Sequence, residues 1–283
     1  MPIFDHDGLK FHYRSEGRGV PVVWQHGLGS DIDQTFALLE PGFNQDLAGF
    51  HFLGFDARGH GLTQPLGDPA KLAIATSADD LLALLDALQI ERAIIGGISM
   101  GAAISLNFAL RFPERVLGLV LSRPAWLDRP FPANLHVFPQ IARALRDLGP
   151  AAGLVAFRQT PEYAALVHDS PDTAQIVTNG FENPRALECV ARLERIPHDA
   201  PCDDRQLWRT LSVPALVLAN HQDPIHPWEF ADTFATLIPG ATLREITSKS
   251  VSLDRHAADL RRHLGEFLLN HFAATSNDRQ ASA

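Results

Sequence analysis

The sequence predicts an α/β architecture: a mostly parallel, eight-stranded sheet flanked by helices, with a helical insertion ahead of its last two strands. Three observations predict it. Short apolar runs of strand length alternate with segments of helical periodicity. A glycine-framed serine, Gly97-Ile98-Ser99-Met100-Gly101, sits where one such run passes into a helix. The alternation then lapses from about Trp126 to about Thr210 and resumes.

The chain opens with a hairpin pattern: Phe4-Asp5-His6-Asp7-Gly8 supplies the turn, and Leu9, Phe11 and Tyr13 share one face of the returning strand. Buried parallel strands are expected at Val22-Val23-Trp24, Phe50 to Phe55, Ala93 to Ile98 and Val116 to Leu121. Ser77 is positioned to cap a helix carrying Leu81, Leu82, Leu84, Leu85 and Leu88. Residues 127–210 read as short helices broken by Pro132, Pro139, Gly149-Pro150, Pro161, Pro171 and Pro184. Strands follow at Pro214 to Ala219 and Thr242 to Thr247, with helices around Trp228 to Leu237 and Ala257 to Phe272. The core is therefore assigned to 1–126 and 211–272, the insertion to 127–210, and a small, polar, disordered tail to 273–283.

Composition narrows the function classes. The net charge of −9 and the lack of a basic cluster argue against a nucleic-acid or anionic-membrane partner, leaving a small-molecule substrate. No stretch approaches the ~18 to 20 apolar residues that cross a bilayer, and the first residues lack a signal-peptide pattern, so a soluble, cytoplasmic protein is expected. The 2 cysteines, Cys189 and Cys202, have no metal-ligand spacing and read as free thiols, and no metal or other cofactor is implied.

Ser99 is the candidate nucleophile. The strand, sharp turn and helix around it project the hydroxyl at the carboxyl edge of the sheet, and the helix start offers N–H groups to a developing oxyanion. The bland alternative is a serine that only caps the helix. His26-Gly27-Leu28-Gly29, closing the first parallel strand, matches the segment that supplies the other half of an oxyanion hole, so the amides of Leu28 and Met100 are the candidate donors. A plain glycine turn is the competing account, and His26 itself reads as a structural hydrogen-bonding residue.

Together with Asp56-Ala57-Arg58-Gly59-His60-Gly61 and Phe112-Pro113-Glu114-Arg115-Val116, these segments resemble the α/β-hydrolase superfamily in order and spacing. From about residue 20 to 125 the pattern looks closest to 3-oxoadipate enol-lactonases and related serine esterases; the resemblance covers about three quarters of the chain and weakens through the insertion. It implies the α/β-hydrolase fold, an insertion acting as a lid, and a triad in the order serine, acid, histidine. Asp56, Arg58 and His60 would then shape a structural loop. The acid would be Asp223, after the strand at Leu216 to Ala219, with a turn-forming role as its alternative and Asp128 as the fallback acid.

The base departs from the family pattern. Related hydrolases place Gly-His within about five residues of the last strand, whereas this chain reads Ser248-Lys249-Ser250 there and reaches His256 about six residues late. Three arrangements compete: His256 acting from a rearranged loop, another histidine such as His221 or His226 acting instead, or no histidine at the site. Arg123 and Trp126, just after the sixth strand, are candidate substrate contacts; Arg123 suits either a substrate carboxylate or a salt bridge with an acid of the lid. The expected activity is hydrolysis of a small carboxylic ester, lactone or thioester through an acyl-enzyme. A ligand-binding pseudo-hydrolase with weakened turnover, or a haloperoxidase-like or carbon–carbon bond hydrolase, are the alternatives.

Overall fold

A computed structural model describes residues 2–40 and 47–280 of the chain, with side chains to residue 273. Eight strands form one sheet in the order β1-β2-β4-β3-β5-β6-β7-β8. The hairpin of β1 (Ile3–His6) and β2 (Leu9–Gly17) is tighter than expected, since Phe4, Asp5 and His6 pair with β2 and only Asp7-Gly8 turns. β2 is antiparallel to β4 (Phe50–Phe55), and β4, β3 (Val20–Gln25), β5 (Ala93–Ile98), β6 (Val116–Ser122), β7 (Ala215–Ala219) and β8 (Thr242–Glu245) are mutually parallel.

The two faces of the parallel strands sort by alternation, the period-2 signature of a sheet covered on both sides. Val22, Trp24, Ile94, Val120, Leu216 and Leu218 pack with α1 (Ile32–Ala37) and the apolar face of α9 (Leu253–Gln280). Val23, Ile95, Leu119, Leu121, Val217 and Ala219 pack in the larger cluster with α2 (Ile74–Ala87), α3 (Met100–Arg111) and α8 (Trp228–Leu237). β3, β4, β5, β6 and β7 thus each contribute to two separate cores.

Between β6 and β7 the chain is helical, with α4 (Val137–Phe157), α5 (Pro161–Asp169), α6 (Pro171–Glu182) and α7 (Ala191–Arg195), and residues 127–210 add no strand to the sheet. Gly149, with φ 76° and ψ 175°, is non-helical and divides α4 into two helices that meet at a kink, as the Gly149-Pro150 pair leads one to expect. At the end of the chain, α9 starts four residues before the helix expected from Ala257 and runs to Gln280, through most of the segment read as a disordered tail; 281–283 lie outside the described residues.

One capping expectation is corrected. α2 begins at Ile74, so Ser77 lies inside its first turn, where its Oγ donates to the Ala73 carbonyl at 3.1 Å. The first amide of the helix, that of Ile74, donates instead to Asp199 Oδ2 at 2.6 Å, from the segment that leaves the insertion. A carboxylate on an orphan N–H at a helix start is favoured by charge and by geometry alike. Asp199→Ala is expected to lower the stability by about 1 kcal/mol, within the range for loss of a helix cap, whereas Ser77→Ala is expected to shift it by less than half as much; chemical denaturation of the two variants makes the comparison.

Candidate active site

Ser99 stands on a sharp turn between β5 and α3 with φ 57° and ψ −110°, backbone angles that a non-glycine residue adopts only under strain. The turn holds because its flanks are pinned: Ser99 N–H donates to the Ser122 carbonyl at 2.9 Å, and the Ser99 carbonyl accepts from Ala103 N–H at 3.1 Å. Its glycines are dictated by close approach to β3. A Cβ on Gly101 would lie 2.3 Å from the Gln25 carbonyl oxygen, and one on Gly97 would lie 2.7 Å from the same oxygen.

The serine side chain faces a cavity of about 450 Å³, roofed by α6 through Thr173, Ile176, Val177 and Asn179. Among the described residues its hydroxyl has no hydrogen-bond partner. Leu28 lines the same cavity and its amide has no acceptor among the described residues, while Met100, the first residue of α3, has an amide with no intrahelical partner. Both candidate oxyanion donors are therefore uncommitted.

His26 is structural, as its place in the sequence suggests. It is fully buried, its Nδ1–H donates to the Gly27 carbonyl at 2.9 Å and its Nε2 accepts from Ala57 N–H at 3.0 Å, which defines the tautomer. Burial lowers its pKa. Asp56 accepts from the amides of Ile32 and Leu62, and Arg58 makes a buried two-point pair with Asp80 at 2.7 and 2.6 Å, so this loop is a brace for the site's floor.

The loop after β7 carries Asp223, nearly fully buried. Its Oδ2 accepts from Arg123 Nε at 2.7 Å and its Oδ1 from His226 Nδ1 at 2.9 Å. Burial alone would raise this carboxyl's pKa, but the charge of Arg123, the His226 imidazole and their hydrogen bonds prevail and hold it well below the usual carboxylate range. Arg123 thus pairs with the candidate acid and not with an acid of the lid, from a backbone at φ 50° whose N–H donates to the Leu218 carbonyl at 2.6 Å.

His226 was only a substitute possibility in the sequence, and the structure places it on the wall of the Ser99 cavity. The i, i+3 turn that carries it, closed by His226 N–H to the Asp223 carbonyl at 3.2 Å, sets the imidazole on the carboxylate. With Nδ1–H donating to Asp223, Nε2 keeps its lone pair, and among the described residues this buried atom has no hydrogen-bond partner. Burial lowers the imidazole pKa against the opposing pull of Asp223, so the ring is neutral at pH 7.

His256 is not brought to Ser99 or to Asp223. It lies in the first turn of α9, buried, with Nδ1–H donating to the Thr247 carbonyl at 2.8 Å. The reason is the early start of that helix: Asp259, one turn further on, accepts from Thr247 N–H at 2.9 Å and from its hydroxyl at 2.6 Å, which fastens α9 to the end of the last strand and leaves no loop to fold back. Burial and the charge of Arg123 push His256 down to about 3. The position where the resemblance implies a histidine is occupied by Lys249, which lines the cavity, and Ser250, which bonds Ser170 of the insertion at 3.0 Å.

The remaining candidates sort cleanly. Trp126 is buried in the larger core and does not line the cavity, while Phe138 does. Asp128 pairs with Arg205 outside the site. His221 stacks on Trp228 at 4.0 Å, facing a different depression from the one that holds Ser99.

Comparison with known proteins identifies the family of the fold. The sequence profile described as alpha/beta hydrolase fold matches residues 20–250. The chain belongs to the α/β-hydrolase fold family. It is 30% identical over 199 residues to a protein named putative carbamate hydrolase RutD from Pseudomonas syringae, covering 69% of this chain and 73% of that one. It is also 30% identical over 211 residues to 3-oxoadipate enol-lactonase 2 of Acinetobacter baylyi, covering 72% of each. Among solved structures, the enol-lactonase from Burkholderia xenovorans LB400 superposes with a TM-score of 0.73 at 25% identity, over 94% of this chain and 99% of that one. The expected family, sheet and enol-lactonase likeness are thus all found.

The packing of the nucleophile turn makes a stability prediction of opposite signs. Gly101→Ala drives a Cβ into backbone and is expected to cost at least the ~1–3 kcal/mol of an overpacked core, lowering the yield of folded protein. Gly180→Ala, inside α6 with its nearest neighbour 4.0 Å away, is expected to be neutral or stabilising by up to ~1 kcal/mol through helix propensity. Thermal unfolding of both variants decides it.

Proposed function

We propose that this α/β hydrolase cleaves a small carboxylic ester, lactone or thioester through an acyl-enzyme on Ser99, with His226 as the base in place of His256. The observation that carries the reading is the Asp223–His226 pair: its imidazole lines the same cavity as Ser99, and its buried Nε2 has no hydrogen-bond partner among the described residues. The likeness to an enol-lactonase and to a protein named as a carbamate hydrolase supports a substrate with an acyl carbonyl.

In this mechanism Ser99 Oγ attacks the carbonyl carbon while His226 Nε2 takes the hydroxyl proton. The amides of Leu28 and Met100 receive the negative charge that develops on the carbonyl oxygen. Asp223 stabilises the imidazolium, and Arg123 fixes the carboxylate so that Oδ1 stays on Nδ1. The imidazolium then protonates the leaving group as its bond to carbon breaks, and a water activated by the same nitrogen hydrolyses the acyl-serine. No hydrogen bond joins Ser99 to His226 in the unliganded arrangement; such bonds commonly tighten only once substrate is bound. The helices at 127–210 serve as the lid, with α6 shaping the pocket.

A ligand-binding protein with weak turnover is the second reading, favoured by that same missing bond. Steady-state kinetics on a short aryl ester separate the two. Ser99→Ala is expected to remove turnover to background, and His226→Ala to lower kcat/KM by ~10²–10⁴, with His256→Gln nearly neutral per folded molecule. A wild type no faster than its Ser99→Ala variant would favour the binding protein.

The pH profile carries its own sign. His226 must be neutral to accept the proton, and its pKa is lowered, so kcat/KM is expected to be at its plateau at pH 7 and to fall only as the pH drops below about 6.5, the ordinary histidine value. A rising limb centred near pH 8, abolished by Lys249→Met, would transfer the base role to the lysine.

A further inference from the structure

We propose that Lys249 and Arg123 form an anion subsite beside Ser99, so that the preferred substrate carries a carboxylate along with the carbonyl that is attacked. This rests on the hydrolase reading for its mention of substrate, but the binding claim stands on the cavity itself.

Lys249 is held facing the cavity by the residues on either side of it. Ser248 Oγ donates to the Gln222 carbonyl at 3.2 Å, and Ser250 Oγ bonds Ser170 Oγ at 3.0 Å while accepting from Asp172 N–H at 3.3 Å. The loop is thereby stitched to both the acid loop and the start of α6. Among the described residues Lys249 makes no hydrogen bond and no ion pair. Arg123 spends Nε and Nη2 on Asp223 Oδ2 and leaves Nη1 without such a partner, and it too lines the cavity.

The charges do not balance. Asp223 answers one of the two cations, His226 is neutral, and among the described residues the other positive charge has no carboxylate within ion-pair distance. The acids on the cavity wall are placed otherwise: Asp31 accepts from Gln34 N–H and Nε2 at the start of α1, and Glu182 is exposed at the rim. Lys249 shows the strain, since burial first and then the charge of Arg123 lower it to about 8. A ligand carboxylate between the two cations would restore neutrality and allow Arg123 Nη1 and Lys249 Nζ to donate to its oxygens.

The rest of the wall suits a short chain bearing that carboxylate. Leu28, Leu38, Phe138, Ile176, Val177 and Ile225 give it an apolar part beside polar side chains such as Gln34 and Asn179, in about 450 Å³. A half-ester or lactone of a short dicarboxylic acid has the required chemistry: a carboxylate for the cations, a few methylenes for the apolar wall, and an acyl carbon for Ser99.

The test separates the subsite from catalysis. Ser99→Ala protein is titrated calorimetrically with glutarate and with the uncharged glutaramide, and the titration is repeated in a Ser99→Ala/Lys249→Met background. Glutarate is expected to bind at least tenfold more tightly than glutaramide, and Lys249→Met is expected to erase that preference. Anion binding should also take up protons near pH 8, and affinity should fall as the pH rises beyond it, because the bound carboxylate raises the ammonium's pKa. The groups acting on Lys249 are Arg123, Asp172 and Asp223, with the imidazoles of His226 and His256 within its field. Loss of the proton uptake in the Lys249→Met background is expected and assigns it. Glutarate binding that is absent, no tighter than glutaramide, or indifferent to Lys249→Met overturns the proposal. In wild type, kcat/KM for an aryl half-ester of glutarate should exceed that for the aryl butyrate by about tenfold or more. If no ester is turned over while glutarate binding still requires Lys249, the hydrolase reading fails and the subsite survives.

Discussion

The contact on which this site depends is the approach of the start of α3 to the end of β3, where a Cβ at Gly101 would stand 2.3 Å from the Gln25 carbonyl. That closeness lets the chain reverse from strand to helix within one residue, and the residue at the apex is Ser99. β5 lies between β3 and β6, and the Ser122 carbonyl at the end of β6 holds the apex amide. The strained angles of Ser99 are thus sustained by neighbours on both sides, which is how a backbone outlier persists in a packed protein. The positions of the candidate oxyanion donors follow from the same geometry, because Leu28 follows β3 and Met100 begins α3.

A second constraint is electrostatic and centres on Asp223. A nearly buried carboxylate needs compensation, and here it comes from a guanidinium at the end of β6 and from an imidazole three residues on. With both carboxylate oxygens engaged, the acid does not depend on a histidine delivered by the loop after β8. That loop is free to bear another residue, and it bears Lys249. The insertion is tied to it through Ser170 and Ser250, so the roof of the cavity and its cationic wall are mechanically one unit.

The central strands β3, β5 and β6 were legible because each is an apolar run whose alternate residues enter opposite cores, a signal carried within six or seven residues. The Ser99 turn was legible because its glycine-framed motif stands between an apolar run and a helical pattern, although the steric demand its glycines answer comes from Gln25 on β3. Less legible were the places where a distant residue supplies the missing hydrogen bond. Ser77 looked like a cap, but Asp199, 125 residues beyond Ile74, takes the amide. His256 looked available, but Asp259 draws α9 onto Thr247 and commits the imidazole to a carbonyl. Asp223-x-x-His226 was visible as a spacing, yet nothing local distinguishes an imidazole set on its own turn's carboxylate from one at the surface.

By itself, then, the sequence determined the α/β-hydrolase sheet, the helical insertion and the serine at the strand-to-helix apex, since periodicity, glycine placement and motif order are properties of neighbouring residues. Only the tertiary structure decided which groups surround that serine. Arg123 and Asp223 are 100 residues apart in the chain and bonded at 2.7 Å. Whether a cation, an imidazole or a lysine ends up facing Ser99 depends on how loops from the ends of β6, β7 and β8 meet at one edge of the sheet. The buried charges there had to find partners across that edge, and no short segment of sequence records which partners they found.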